Sequence, residues 1–272
     1  MKAAELFNVD GLGVIVTGGA SGIGLAFVEA LAENGARVTI LDRHAERVSE
    51  QVTRLRALGW QVRGEIVELV DRPAVHRAFD AATAAHGRLD VVFANAGIDP
   101  GVGVIGPDGQ RSVEGALENY DDERWNRVIE VNLNAVFNTL KAAARHMKPQ
   151  RSGRIIVTTS VASIRNSALA AAYPAAKAGV AALMRNAALE LASFNIHVNA
   201  IAPGPFATNI GGGHLQEQVW QDRAARIIPL HRVGRPEEMK GLALLLASPA
   251  SSFMTGAEIF NDGGLAIGPP ID

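Results

Sequence analysis

The sequence predicts an α/β fold: a single doubly wound domain in which about seven parallel strands form one sheet with helices on both faces. Short runs rich in Val, Ile and Leu alternate along the chain with longer segments of helical pattern. These runs are continuously apolar rather than alternating, as expected of strands covered on both faces and joined by right-handed crossovers. No linker or internal repeat interrupts the 272 residues, so a length that allows two domains is read as one.

Each element has a local reason. Gly13–Thr17 is the first apolar run, Gly22–Asn34 is helical, and Gly35 suits the left-handed residue after a helix. Arg37–Asp42 is the second strand, followed by a helix to about Leu58 that Gly59 closes. Gln61–Leu69 is a weaker third run. Asp71 is placed to cap the next helix, with Pro73 in its first turn. Leu89–Asn95 is the fourth strand. Residues 98–120 hold five Gly and two Pro and read as a long loop. A helix is expected over Asp122–Met147, a fifth strand over Arg154–Ser160 and an Ala-rich helix over Ala172–Phe194. Ile196–Ala202 is the sixth strand and 203–235 a loop with a short helix. Pro236–Ala247 is helical and Glu258–Asn261 closes the sheet.

Composition excludes several classes. Hydrophobic residues make up 48% and charged residues 20%, so the chain can bury a core and is not disordered. A net charge of −2 leaves no electrostatic footprint for nucleic acid or an anionic membrane. The first ten residues hold no apolar signal segment, and no run is long enough to span a bilayer, so a cytoplasmic protein is expected. With no Cys there is no disulfide, thiolate-ligated metal or thiol nucleophile, and the seven His show no HExxH or close cluster, so no metal is expected. Trp60, Trp125 and Trp220 suit the core or a lid.

The first strand runs into Thr17-Gly18-Gly19-Ala20-Ser21-Gly22-Ile23-Gly24 and then a helix. Glycines there let backbone approach a phosphate, and the helix N-terminus presents free N–H groups. The spacing is GxxxGxG rather than GxGxxG, and no Lys follows to make a triphosphate loop. Asp42 ends the second strand, 18 residues after Gly24. A carboxylate there accepts from a ribose diol and repels a 2′-phosphate, which predicts NAD over NADP even though Arg43 follows.

Tyr173 and Lys177 lie four apart in a helical segment and so share one face. A phenol is a poor base near neutrality; lowering its pKa by about 3 units needs roughly 4 kcal/mol of preference for the phenolate. An ammonium beside it and an oxidised nicotinamide can supply that in a shielded site.

The ordered set TGxxxGIG, Asn95-Ala96-Gly97, Asn132, Ser160 and Tyr173-x-x-x-Lys177 resembles the short-chain dehydrogenase/reductase family over about residues 8–265. Ser160 stands 13 residues before Tyr173; Pro203-Gly204, Thr208 and Asn261-Asp262-Gly263-Gly264 also match. The resemblance implies a Rossmann-type fold and a catalytic set of Asn132, Ser160, Tyr173 and Lys177. Tyr173 is then the general acid/base, Lys177 its electrostatic partner and a ribose ligand, Ser160 the donor to the substrate oxygen, and Asn132 the holder of a relay water. The implied cofactor set is Gly18, Ser21, Gly22, Ile23, Gly24, Asp42, Glu68, Leu69, Asn95, Ala96, Gly97, Tyr173, Lys177, Pro203, Gly204, Phe206 and Thr208. Four features depart from the family: Glu68 where Asp is common, Ala176 in place of the frequent Ser, Pro174 directly after Tyr173, and the long 98–120 loop.

The function expected is NAD-dependent interconversion of a secondary alcohol and its ketone, metal-free, in a homotetramer. The alternatives are a silent NAD-binding scaffold and a 3-oxoacyl thioester reductase, the latter disfavoured by Asp42 because that work commonly uses NADPH. A methyltransferase also uses a Gly-rich first loop but leaves Tyr173 and Lys177 unexplained. Val161, Ala162, Ser163, Ala168, the loop after Ile98 and Phe206–Trp220 are the expected substrate walls, and their small or apolar character points to a compact or cyclic alcohol, with sugars and polyols open. Gly211-Gly212-Gly213 is a candidate lid hinge. The Ala-rich faces at 135–144 and 175–188 suit close helix packing between subunits.

Overall fold

The computed structural model describes residues 2–98, 101, 103, 110–165 and 171–271. In chain order the elements are α1 (Ala3–Leu6), β1 (Gly13–Thr17), α2 (Gly22–Glu33), β2 (Arg37–Asp42), α3 (Ala45–Ala57), β3 (Val62–Ile66) and α4 (Arg72–His86). Then follow β4 (Val91–Ala94), α5 (Asp122–Ile129), α6 (Ala135–Gln150), β5 (Gly153–Thr158) and α7 (Ala172–Ala192). The chain ends with β6 (Ile196–Pro203), α8 (Gln218–Ala225), α9 (Lys240–Ala247) and β7 (Glu258–Asn261).

All seven strands pair in parallel in one sheet, in the order β3-β2-β1-β4-β5-β6-β7. Every residue of β1 and β4 is buried, because each strand packs helices on both faces. One apolar layer joins the sheet to α4, α6 and α7. The other joins it to α2, α3 and α9, with the Phe27 and Phe93 rings 4.7 Å apart between centroids. Strand order reverses between β1 and β4, so a crevice opens past their carboxyl ends, where α/β sheets bind ligands. Asp71 caps α4 as expected, accepting from the Ala74 N–H at 3.1 Å, and Gly35 and Gly59 both take positive φ after their helices.

Several elements differ from the sequence reading. β3 stops at Ile66, so Val67, Glu68 and Leu69 leave the sheet edge and line the crevice. β4 is confined to Val91–Ala94, and β5 to Gly153–Thr158, which leaves Ser160 two residues past the strand. The helix expected over Asp122–Met147 is two helices with a π turn, Glu130–Asn134, between them. The wider turn sets Asn132 inward, where its amide is held by backbone rather than water-facing. Pro236–Ala247 opens as a 3₁₀ turn over Pro236–Met239, and α1 has no counterpart in the sequence reading. Trp60 packs on the core, while Trp125 is exposed. No helix among the described residues is long and apolar enough to cross a membrane.

Candidate active site

The loop between β1 and α2 forms one floor of the crevice. Gly18 takes φ +65°, and a Cβ there would sit 2.8 Å from the Ala96 Cα. At Gly24 a Cβ would reach 2.1 Å from the Gly18 carbonyl oxygen and 2.6 Å from Asn95 Nδ2, so this turn closes only with glycine. Ser21 stands at the N-cap of α2 without a side-chain capping bond, so the helix directs its first N–H groups into the crevice. Thr208, buried, lies opposite Gly22; its Oγ1 accepts from the Ile210 N–H at 3.4 Å.

A hydrogen-bond chain ties this floor to the end of β5. Thr17 Oγ1 accepts from the Asn95 and Ala96 N–H groups at 3.0 and 3.3 Å. Asn95 Nδ2 donates to the Thr17 and Gly18 carbonyls, and its Oδ1 accepts from Thr158 Oγ1 at 3.0 Å. The Thr158 carbonyl in turn accepts from Lys177 Nζ at 2.9 Å. Thr158 is therefore a site residue that motif spacing did not single out, since its contribution is a backbone oxygen.

Asp42 lies at one end of the crevice, where its carboxylate accepts from the Ala20 N–H at 3.3 Å and the His44 N–H at 3.1 Å. Glu68 faces Arg43 at 3.9 Å and Arg127 of α5 at 3.6 Å. Its carboxylate is thus flanked by two guanidinium groups, and Arg43, His44, Arg47, Arg124 and Arg127 all line this end of the crevice. No sequence spacing announced Arg124 and Arg127, which reach the site from α5 only once the chain has folded.

At the other end, the first turn of α7 carries Tyr173 and Pro174, where the proline's missing N–H is not needed. Lys177, one turn on, is 3% exposed, and its Nζ lies 5.6 Å from the centre of the Tyr173 ring. Burial pushes the Lys177 ammonium down to about 8, because removal from water penalises the charged form. Asn132 Oδ1 accepts from the Ile98 N–H at 3.1 Å, and Asn132 Nδ2 donates to the Ile98 carbonyl at 3.2 Å. The amide thereby fixes the strand exit at Asn95-Ala96-Gly97; a Cβ on Gly97 would approach Asn132 Oδ1 to 2.7 Å. Ser160 Oγ accepts from the Ala162 N–H at 3.1 Å as the cap of a 3₁₀ turn, Val161–Ser163, which leaves its own proton to donate.

These residues bound one cavity of about 850 Å³, which every proposed catalytic and cofactor residue lines, from Gly18 to Thr208. Ile23, Leu69, Pro203, Gly204 and Phe206 form apolar and backbone wall between the two ends. Gly204 is pressed against the turn after β7: a Cβ there would meet the Asp262 Cα at 2.7 Å. Phe206 is buried with its ring under Gly234.

The expected substrate walls are met in part. Ile98, Phe206, Asn209, Ile210 and Leu215 line the cavity. Val161, Ala162, Ser163 and Trp220 are not among its described lining, because the 3₁₀ turn after Ser160 carries the first three away. Val161 packs instead with Ile228, Val233 and Leu265. Ala168 and much of the 98–120 loop lie outside the described residues. The triple glycine belongs to a 3₁₀ run, Ile210–Gln216, in which Gly213 takes φ +84°. Among the described residues, no group of three or more His, Cys, Asp or Glu could hold a metal ion.

A parallel sheet ordered 3-2-1-4-5-6-7, a glycine cradle on the first turn and a Tyr-x-x-x-Lys pair at the crevice place this chain in the short-chain dehydrogenase/reductase family, and it belongs to that family. The family described as enoyl-(acyl carrier protein) reductase matches residues 18–266. The chain is 40% identical over 250 residues to a cis-4-hydroxycyclohexanecarboxylate dehydrogenase from Sinomonas cyclohexanicum, covering 92% of this chain and 94% of that one. It is 35% identical to a 3-oxoacyl-[acyl-carrier-protein] reductase from Thermotoga maritima, covering 96% and 100%. It is similar to the crystal structure of a gluconate 5-dehydrogenase from Burkholderia cenocepacia in complex with NADP and tartrate, with a TM-score of 0.87, 32% identity, and 98% and 99% of the two chains covered. Its relatives are thus oxidoreductases of alcohols and ketones, and the family binds a nicotinamide cofactor.

Proposed function

We propose that the protein is an NAD-dependent oxidoreductase that interconverts a compact, cyclic secondary alcohol and its ketone. The observation that carries this reading is the buried Lys177 ammonium beside Tyr173 in the cavity that also holds Ser160 and the glycine cradle. The cavity fits a dinucleotide: positions where a Cβ would strike backbone lie at its floor, and Asp42 lies at its far end. Gly18, Ser21, Gly22, Ile23 and Gly24 would hold the pyrophosphate; Asp42, Glu68 and Leu69 the adenosine; Asn95, Ala96 and Gly97 the ribose side; Pro203, Gly204, Phe206 and Thr208 the nicotinamide. When bound, the cofactor supplies hydride transfer.

The chain's own residues manage the oxygen and its proton. In the oxidative direction the Tyr173 phenolate takes the hydroxyl proton, and in reduction the phenol returns it. The Lys177 ammonium favours the phenolate through its charge and is held in place by the Thr158 carbonyl. The Ser160 hydroxyl donates to the substrate oxygen while its lone pair remains with the Ala162 N–H. Asn132, clamped on Ile98, sets the π turn against Lys177. Exposed Phe137 and Leu189 on α6 and α7 support pairing of those helices with further copies in a homotetramer. The lack of Cys suits the cytoplasm.

The 40% identity to a hydroxycyclohexanecarboxylate dehydrogenase supports the cyclic alcohol, and Asp42 supports NAD. The test is a panel of cyclohexanol, cis-4-hydroxycyclohexanecarboxylate, gluconate and a 3-hydroxyacyl thioester, each with NAD⁺ and NADP⁺. We expect the highest kcat/KM for a cyclic alcohol with NAD⁺, and Asp42→Ala to narrow the gap between the cofactors by about tenfold, or 1.4 kcal/mol. A wild-type preference for NADP⁺ overturns the cofactor reading, and a preference for the thioester overturns the substrate reading.

A further inference from the structure

Outside the residues that line the cavity, one buried carboxylate joins both walls that carry the chemistry. Glu258 opens β7 and its side chain is only 10% exposed. Its Oε1 accepts from Ser163 Oγ at 2.9 Å, and its Oε2 lies 3.6 Å from Arg185 Nη1. Ser163 ends the 3₁₀ turn that Ser160 caps, and its N–H donates back to the Ser160 carbonyl at 2.9 Å. Arg185 lies on α7, eight residues after Lys177 and twelve after Tyr173.

We propose that Glu258 is a positioning residue for the reaction: its carboxylate bridges the Ser160 turn to the helix of Tyr173 and Lys177 and so sets the spacing of the three reacting groups. The proposal rests on the catalytic reading given above. A carboxylate removed from water needs partners, and here they come from the two catalytic elements rather than from its own strand. Its own position is rigid. Glu258 pairs in register with Ala200 of β6, and two residues earlier the Gly256 N–H donates to the Val198 carbonyl at 2.7 Å. The far side of the same turn is tied to the C-terminal segment as well: the Arg165 guanidinium donates to the Leu265 and Gly268 carbonyls, and Val161 packs on Leu265. The turn is therefore held by β7 and the residues after it, while Ser160 has to stay within a fraction of an ångström of its place for a substrate oxygen to reach both its hydroxyl and the Tyr173 phenol.

The experiment measures kcat, KM and NADH affinity by fluorescence for Glu258→Ala, Glu258→Gln, Ser163→Ala and the Ser163→Ala/Glu258→Ala double variant, using the best alcohol of the panel. Glu258→Ala and Ser163→Ala are each expected to lower kcat by ten- to a hundredfold. NADH affinity stays within twofold, because none of the cofactor wall is touched. Glu258→Gln keeps an oxygen that accepts from Ser163 but gives up the charge that faces Arg185, so its kcat falls between those of Glu258→Ala and wild type. The double variant is no slower than Glu258→Ala alone, since Glu258→Ala already removes the Ser163–Glu258 bond along with the Arg185 contact. A kcat within twofold of wild type for Ser163→Ala, which deletes a single oxygen and leaves the fold intact, overturns the proposal. So does a joint fall of kcat and NADH affinity with additive losses, which marks general destabilisation. Tyr173→Phe measured alongside keeps the two readings apart: activity surviving there overturns the catalytic reading, whereas an inactive Tyr173→Phe with a fully active Ser163→Ala overturns only the role of Glu258.

Discussion

Burying the Lys177 ammonium opposes folding, while in the proposed mechanism it serves catalysis. With its pKa brought down from 10.5 to about 8, both folded and unfolded chains carry the proton below that pH, and the penalty of burial is present in full. Between about 8 and 10.5 the folded chain gives up the proton first, so the penalty fades as pH rises. Lys177→Met is therefore expected to be more stable than wild type at pH 7, by on the order of 1–4 kcal/mol, although it abolishes turnover. Urea unfolding at pH 7 and pH 9.5 checks this: the advantage of the variant shrinks at the higher pH, and a variant less stable at pH 7 contradicts it. The same titration removes the charge that favours the Tyr173 phenolate in the proposed mechanism. The identity of this pair was legible because a motif of two side chains on one helix face survives in the sequence as spacing. The Thr158 carbonyl and the arginines that reach the site from α5, Arg124 and Arg127, were not, because a backbone acceptor has no residue type and a long side chain arriving from another element leaves no spacing to read.

At the scale of elements, the β1–α2 turn and the α5–α6 junction make opposite cases. The turn was readable because only glycine fits where backbone meets backbone, and the structure gives the reason at Gly24. Gly24→Ala is expected to destabilise the fold by about 1–3 kcal/mol, since the added methyl strikes the Gly18 carbonyl rather than a movable side chain. It also weakens NADH binding by more than tenfold by spreading the cradle. Thermal unfolding and fluorescence titration check both; a variant with wild-type melting and affinity contradicts the close contact. The junction was read as one continuous helix, because the pattern from Asp122 to Met147 holds no Gly or Pro. Asn132, one of four Asn in that segment, is a mediocre helix former and an anomaly in a helix interior. The structure resolves the anomaly as a π turn whose inward amide exchanges two hydrogen bonds with Ile98.

Across the whole molecule, strand order places the site. Residues from β1, β4, β5 and β6 meet only because the sheet is ordered 3-2-1-4-5-6-7, with the crevice beyond the ends of its central strands. Continuous apolar runs make the parallel sheet and its seven strands legible, while the edge strand β3 reads as a weaker and longer run because it is only half-buried. The frame that holds Ser160 from β7 depends on contacts nearly a hundred residues apart in sequence, which no local pattern encodes. All of this geometry converges on one phenol. The most direct measurement is turnover by Tyr173→Phe with NAD⁺ and the best alcohol of the panel, in a variant shown by fluorescence to bind NADH as wild type does. Loss of proton transfer to the substrate oxygen predicts a fall in kcat of at least about a thousandfold. Turnover within tenfold of wild type would contradict the assignment of Tyr173 as the acid/base, and with it the catalytic reading of the site.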